Sequence, residues 1–407
     1  MRVLLSTIGS RGDVQPVVAL AVRLRALGGD VRVCAPPDFG DWIGDLRIPF
    51  VPLGPELRGT GKAAPTAAPP SPEQRRQMVT ATVATQFETL SAAAEGCDVI
   101  VTGGYLVPAA RSVAERRGVR YVFAGYCPAA LPSRHHAPPP LPMLGDPPVE
   151  DADNGALWAR DARRWNDTWG EALNSHRAPL GLPPVTDVRG HLFTDRPWLA
   201  ADPVLGPWPE PGDPRVLQTG AWILPDERPL SAELEAFLRA GEPPVYFGFG
   251  SIRAPHDLAK TMVEAARALG RRAIVLRGWA DLAPLDGEPD CLSIGEVNQQ
   301  ALFRRVAAVV HHGGAGTTTA AARAGVPQVV IPQHFDQHYW ARRVAGLGAG
   351  TAHAPGAPTT ASLTEALRHA LQPDVAARAT ALAGEIRTDG ADAAARRLLA
   401  PDFRRSS

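Results

Sequence analysis

The run Ala308-Val309-Val310-His311-His312-Gly313-Gly314-Ala315-Gly316-Thr317-Thr318-Thr319 restricts the fold more than any other stretch of the chain. An apolar, β-branched strand leads into two histidines and a glycine turn, and a threonine-rich helix start follows. A helix N-terminus leaves backbone N–H groups unpaired and carries partial positive charge, and glycines beside it let an anion approach the backbone. A short glycine pattern alone suits an ordinary strand-turn-helix junction with buried, satisfied histidines just as well. The continuation tips the balance: 320–325 reads as helix, 326–332 as a buried strand, and Asp336-Gln337 comes just beyond it. Two successive strand ends of a parallel sheet then bring phosphate donors and a carboxylate-amide pair to one edge, where open α/β sheets bind ligands.

The same alternation of short strands and helices fills the chain. Residues 2–8 read as a strand, Gly9 to Asp13 as a turn and 14–27 as a helix with apolar residues at helical spacing. Further strands are expected at 31–35, 50–53, 99–102 and 119–124, with helices around 73–94, 108–117 and 157–177. A second series follows, with strands at 244–250, 273–276, 291–294, 306–310, 328–331 and 351–353 and closing helices at 359–371 and 375–387. Buried strands alternating with helices imply parallel, doubly wound sheets. At 407 residues the chain suits two domains: an N-terminal domain over 1–205, a Pro- and Gly-dense linker over 206–228, a C-terminal domain over 229–390 and a tail over 391–407.

The pattern His-x-Gly-x-Gly-Thr, then Ala-Gly-Val-Pro, then Pro-x-x-x-Asp-Gln resembles the nucleotide-sugar motif of the family 1 glycosyltransferases. The opening Gly9-Ser10-Arg11-Gly12-Asp13-Val14-Gln15-Pro16 is similar to the start of bacterial members. Trp198 to Asp202, Gln218 to Trp222, Val245 to Ser251 and Arg277 to Asp281 look specifically like the vancomycin-group glycopeptide antibiotic glycosyltransferases. The resemblance spans nearly the whole chain. It implies a GT-B architecture, two Rossmann-like α/β domains facing across a cleft, with the acceptor in the first domain, the nucleotide sugar in the second and the tail crossing back to the first. The activity implied is transfer of a hexose from a UDP- or dTDP-sugar to a hydroxyl of a glycopeptide aglycone. The same signature also suits an enzyme acting on another aromatic or polyketide product.

Such a reaction needs groups that hold a diphosphate, stabilise it as it leaves and deprotonate the acceptor. The resemblance assigns the general base to Asp13; the residues alone favour a helix cap there. An unperturbed aspartate, with pKa about 3.9, is a weak base at neutral pH, which partial burial in a closed cleft would ease. Phosphate contacts are expected from His312, Gly313, Gly314, Ala315, Gly316, Thr317 and Thr318, with Ser251 on the opposite wall and Ser10 and Arg11 reaching over from the first domain. His311 is expected to be structural. Backbone groups of Val297 would read the base, and Trp279 is either its stacking surface or a core residue. Asp336 and Gln337 match the pair that binds sugar hydroxyls; a helix N-cap at Asp336 is compatible with that role. One carboxylate opposite the leaving group implies single-step displacement with inversion, and no cofactor or divalent metal is expected.

Composition narrows the partners. Lys+Arg 42 balances Asp+Glu 42, so no electrostatic footprint calls for nucleic acid or an anionic membrane. The start lacks a signal-peptide core and no run is long enough to span a bilayer, which predicts a cytoplasmic protein, expected to act as a monomer. Cys34, Cys97, Cys127 and Cys291 are scattered, without the close pairs of zinc or redox motifs. His334 and His338 share metal-ligand spacing, but Phe335 stands where a zinc protease has its glutamate. A nicotinamide dehydrogenase is a rival because Asp336 lies at a ribose-binding distance beyond the glycine turn, yet neither turn reads Gly-x-Gly-x-x-Gly. A sugar-nucleotide epimerase would need no acceptor, and a sugar-binding protein would not need Asp13. The proline-rich segments 63–72 and 128–148 are either acceptor-facing loops or surface excursions.

Overall fold

In a computed structural model, residues 1–58, 71–139, 153–250, 258–279, 282, 287–354 and 356–405 are described. The first sheet contains β1 (Arg2–Ser6), β2 (Asp30–Ala35), β3 (Phe50–Pro52), β4 (Val99–Gly103), β5 (Arg120–Gly125), β6 (Trp198–Leu199) and β7 (Leu217–Gln218), in the order β3-β2-β1-β4-β5-β6-β7. The second contains β8 (Val245–Gly248), β9 (Ala273–Leu276), β10 (Cys291–Ile294), β11 (Ala308–His311), β12 (Gln328–Val330) and β13 (Gly350–Ala352), in the order β10-β9-β8-β11-β12-β13. Every pairing is parallel. In each sheet the order reverses beside the first strand of that half, β1 or β8. In open α/β sheets ligands bind at such a switch point, over the carboxyl ends of the strands.

Parallel strands are buried on both faces, which is why their sequences are near-continuous apolar runs. Leu4 and Ile100 pack on one side of the first sheet and Leu5 and Val101 on the other. The expected linker is shorter than 206–228, because β7 lies inside that stretch and continues the first sheet. The first helix also begins earlier than expected, at Arg11 rather than after Asp13.

The chain crosses between the halves twice. Helix Gly390–Leu399 returns to the first half, where Ala391, Ala394, Ala395 and Leu398 join the core built around Val14, Val17 and Leu20. Gly220, at φ +92°, meets Gly390 where the two crossings pass; a Cβ on Gly390 would lie 2.4 Å from the Ala221 carbonyl oxygen. Buried Asp202 fixes the returning chain by accepting the Arg387 N–H at 2.8 Å. A mixed apolar cluster, with Phe123 and Leu199 from the first half and Trp340 and Leu382 from the second, packs the halves together. Among the described residues no helix is long and apolar enough to cross a membrane.

Candidate active site

The first wall is the turn after β1. Ser10 caps helix Arg11–Ala26, and Asp13, its third residue, completes a capping box. The Ser10 N–H donates to Asp13 Oδ2 at 2.8 Å, and the Ser10 hydroxyl lies 3.3 Å from the same oxygen. One carboxylate oxygen is therefore a cap, while Oδ1 is left without a hydrogen-bond partner among the described residues. The helix-cap and base readings thus concern different oxygens of one side chain.

The surroundings keep room for that carboxylate. Gly9, at φ +152°, is required because a Cβ there would sit 2.2 Å from Asp13 Oδ2. Gly104, at the end of β4, leaves Oδ1 uncovered; even a Cβ there would be 3.7 Å away. Sequence reasoning missed Tyr126, whose hydroxyl donates to the Asp13 carbonyl at 3.1 Å. Burial pushes Asp13 up to about 6, the Ser10 bonds oppose the rise, and Asp336 of the second half adds like-charge repulsion. Asp336 is thus within electrostatic reach of Asp13.

The second wall is the turn after β11. Gly313, at φ +92°, turns the chain, and a Cβ there would lie 2.7 Å from Val330. Its N–H donates to His311 Nδ1 at 3.0 Å, which corrects the expectation that Gly313 contributes a phosphate donor. That bond requires Nδ1 to be unprotonated, so His311 Nε2–H donates to Gln328 Oε1 at 2.9 Å. His311 is fully buried, and burial lowers its pKa to about 3. Neutral His311 is the brace beneath the turn.

Helix Ala315–Ala324 starts at Gly314 with no side chain capping it. The N–H groups of Gly314, Ala315, Gly316 and Thr317 have no protein partner among the described residues. A second correction concerns Thr318, which is fully buried and donates its hydroxyl back to the Gly314 carbonyl at 2.9 Å. The His312 ring lies against the turn; a Cβ on Gly314 would come within 2.5 Å of its Nε2. Burial lowers His312 to about 4, so the imidazole is neutral at neutral pH.

Asp336 stands after β12 at the start of helix Gln337–Gly346, but its side chain makes no cap bond. Instead Oδ2 accepts from Trp340 Nε1 at 2.9 Å, and burial pushes the carboxyl up to about 6. Gln337 Oε1 accepts the N–H groups of Gln333 and His334 at 2.8 and 3.0 Å, leaving the amide nitrogen as its donor. Between His334 and Asp336, Phe335 is held at φ +52°, strained for a non-glycine residue.

The remaining site residues are more dispersed. Ser10 is committed to its capping box. Arg11 lies over the Trp42 ring, 3.4 Å from its centroid, and its Nε–H donates to Gln15 Oε1 at 3.0 Å. Ser251 lies outside the described residues, as do most of 63–72 and part of 128–148. Trp279 is half-buried against the core of the first half, not inside the second, and its backbone N–H donates to the Gly250 carbonyl at 2.9 Å. Val297 lines a cavity of about 390 Å³ with Arg228, Arg277, Ser293 and Glu296. Arg58 of the first half bridges to Glu296 at 3.1 Å.

Comparison with known proteins assigns the architecture. Residues 3–122 match the glycosyltransferase family 28 N-terminal domain, and 281–395 the C-terminal domain of the erythromycin biosynthesis protein CIII type. The solved glycotransferase of kitacinnamycin superposes with a TM-score of 0.74 at 21% identity, covering 99% of this chain and 98% of its own. In Amycolatopsis orientalis, the vancomycin aglycone glucosyltransferase is 55% identical over 402 residues, 98% of this chain and 97% of its own. Glycosyltransferase GtfE of that organism is 56% identical over 403 residues, with coverage of 98% and 97%. Its dTDP-epi-vancosaminyltransferase is 48% identical over 389 residues, with coverage of 93% and 92%. These likenesses leave no place for the dehydrogenase, epimerase or binding-protein readings: the chain belongs to the family 1 glycosyltransferases of the GT-B fold, alongside the vancomycin-group enzymes.

Proposed function

We propose that the protein moves a hexose from a UDP- or dTDP-sugar to a hydroxyl of a glycopeptide antibiotic aglycone of the vancomycin or teicoplanin type, with inversion at the anomeric carbon. The observation that carries the reading is the juxtaposition of Asp13, with one oxygen free, and Asp336, close to an uncapped helix start. The acceptor class rests on the substrate named for the vancomycin aglycone relative.

The free N–H groups at 314–317 and the neutral imidazole of His312 would hold the diphosphate. Negative charge building on the departing oxygen would then meet donors already in place. Asp336 and the Gln337 amide would take the sugar hydroxyls. β10 lies three strand steps from β11, about 14 Å at 4.8 Å per step, which leaves room for a ribose between the phosphate turn and a base at Val297. Trp279 would close over the nucleotide from the side where the halves meet.

Asp13 Oδ1 would take the acceptor proton from the face opposite the leaving group. Its raised pKa makes it a better base than a solvated aspartate while leaving it ionised at neutral pH. In-line attack on one face and departure from the other inverts the centre, with no covalent sugar-enzyme link. The helix start does the work of a divalent cation, so the reaction needs no metal, and the protein acts as a cytoplasmic monomer. The test is mass spectrometry of products after offering UDP- and dTDP-hexoses with glycopeptide aglycones. A mass increase of one hexosyl residue on the aglycone is expected; nucleotide-sugar turnover that never labels any aglycone refutes the acceptor class.

A further inference from the structure

The uncovered Asp13 Oδ1 looks onto Gly104, where no side chain intrudes, and the wall rises at the next residue, Tyr105. Its ring is wedged among Phe123, Trp165 and Phe193, at centroid distances of 6.1, 6.4 and 5.9 Å. Three rings from separate segments fix the direction of the phenol. Tyr105 is half-buried, and its hydroxyl, which has no hydrogen-bond partner among the described residues, stays accessible to a ligand. The ring packs on the same apolar cluster as Ala315, at the helix start, and Trp340, whose indole bonds Asp336, while the preceding Gly104 adjoins Asp13. Tyr105 therefore lies between the groups assigned to proton removal and sugar binding. Burial keeps it protonated, so it is available as a donor.

We propose that the Tyr105 hydroxyl is a hydrogen-bond donor of the reaction centre, directed at the acceptor oxygen whose proton Asp13 Oδ1 removes. The inference rests on the transferase reading above. In the step, the acceptor O–H breaks and its proton passes to Asp13. The freed electron pair bonds the anomeric carbon as the carbon–phosphate oxygen bond breaks, and that bond's electron pair leaves with the nucleoside diphosphate. Tyr105 keeps its proton throughout. Donation stabilises the oxygen as negative charge develops on it, narrowing the gap between the acidity of an alcohol or phenol and that of the Asp13 carboxyl. It also fixes one lone pair so that the other faces the sugar.

The test is Tyr105→Phe in the full chain, assayed with a nucleotide sugar and a glycopeptide aglycone. We expect kcat to fall roughly 10-fold or more, while donor KM and affinity for free nucleoside diphosphate stay within about 2-fold. The melting temperature should move by no more than about 2 °C. An unchanged kcat would mean an idle hydroxyl. A loss confined to donor KM and nucleotide-sugar affinity would put the hydroxyl on the sugar; either result overturns the proposal. If the phenylalanine variant loosens the aromatic wall, 3-fluorotyrosine at the same position keeps ring and hydroxyl but makes a stronger donor. Its kcat must then differ from wild type, and identity would overturn the proposal. A wild-type enzyme that labels no aglycone defeats the transferase reading first, and this inference falls with it. Wild-type turnover matched by the variant defeats this inference alone.

Discussion

Asp13→Asn separates the two tasks of one side chain, because an asparagine oxygen can still accept the Ser10 N–H while the charge and the base are lost. Burial raises Asp13 from its ordinary 3.8 to about 6. At about 1.4 kcal/mol per unit, the ionised carboxylate costs the folded chain at most about 3 kcal/mol. The folded pKa lies above the unfolded one, so the folded state holds the proton longer. Stability is then greatest below about pH 4, declines as pH rises towards 6 and is level beyond. A 407-residue chain unfolds with an entropy of about 0.85 kcal/mol/K, so 3 kcal/mol corresponds to about 3 to 4 °C. Asp13→Asn is therefore expected to melt about 3 °C above wild type at pH 8, with the gap closing by about pH 4. Turnover should fall by about 10²- to 10⁴-fold. Scanning fluorimetry across pH, paired with product formation at neutral pH, measures both. A variant that melts below wild type at pH 8, or by a margin independent of pH, would show an ordinary helix cap. Retained turnover would remove Asp13 as the base.

Other perturbations address neighbouring claims. His312→Ala should weaken nucleoside diphosphate binding and lower turnover together, by up to about 100-fold; calorimetry with the diphosphate and a rate assay check it. Gly9→Ala forces a Cβ to within 2.2 Å of Asp13 Oδ2 unless something shifts. It should therefore displace the carboxylate and lower kcat, while the disturbed cap costs about 1 kcal/mol of stability; a kcat equal to wild type would contradict it. Exhaustive chelation should leave the rate of the wild-type enzyme unchanged, and a loss restored by added divalent metal would contradict the role given to the helix start.

The strands were legible because burial on both faces writes a continuous apolar signal: β9 and β10 occupy the very residues expected. β6 and β7 were not, since two residues amid prolines and glycines offer no period to read. At the site, residue types and their spacing drew attention to the glycine turn after β11 and to Asp336, whereas Asp13 was singled out by the family resemblance. What each donor does depends on how the turn folds over His311. The Gly313 N–H and the Thr318 hydroxyl are committed inside the protein by bonds that no local pattern announces. Tyr105 was invisible for the same reason, because Phe123, Trp165 and Phe193 come together only in the folded domain.

The influence of Asp336 on Asp13 bears on when a base at Asp13 would become effective. Both carboxyls are pushed up to about 6, and like-charge repulsion from Asp336 contributes to the rise at Asp13. A sugar whose hydroxyls donate to Asp336 would stabilise that residue's charge and fill the space between the two groups, excluding water that screens them. The remaining field would then favour the proton on Asp13, making it the stronger base once the donor is seated. The two chain crossings, packed glycine on glycine at Gly220 and Gly390, and the shared cluster around Trp340 hold the walls close enough for this coupling. A base sharpened by donor occupancy is also less effective before the sugar arrives, which favours binding of the nucleotide sugar ahead of deprotonation of the acceptor.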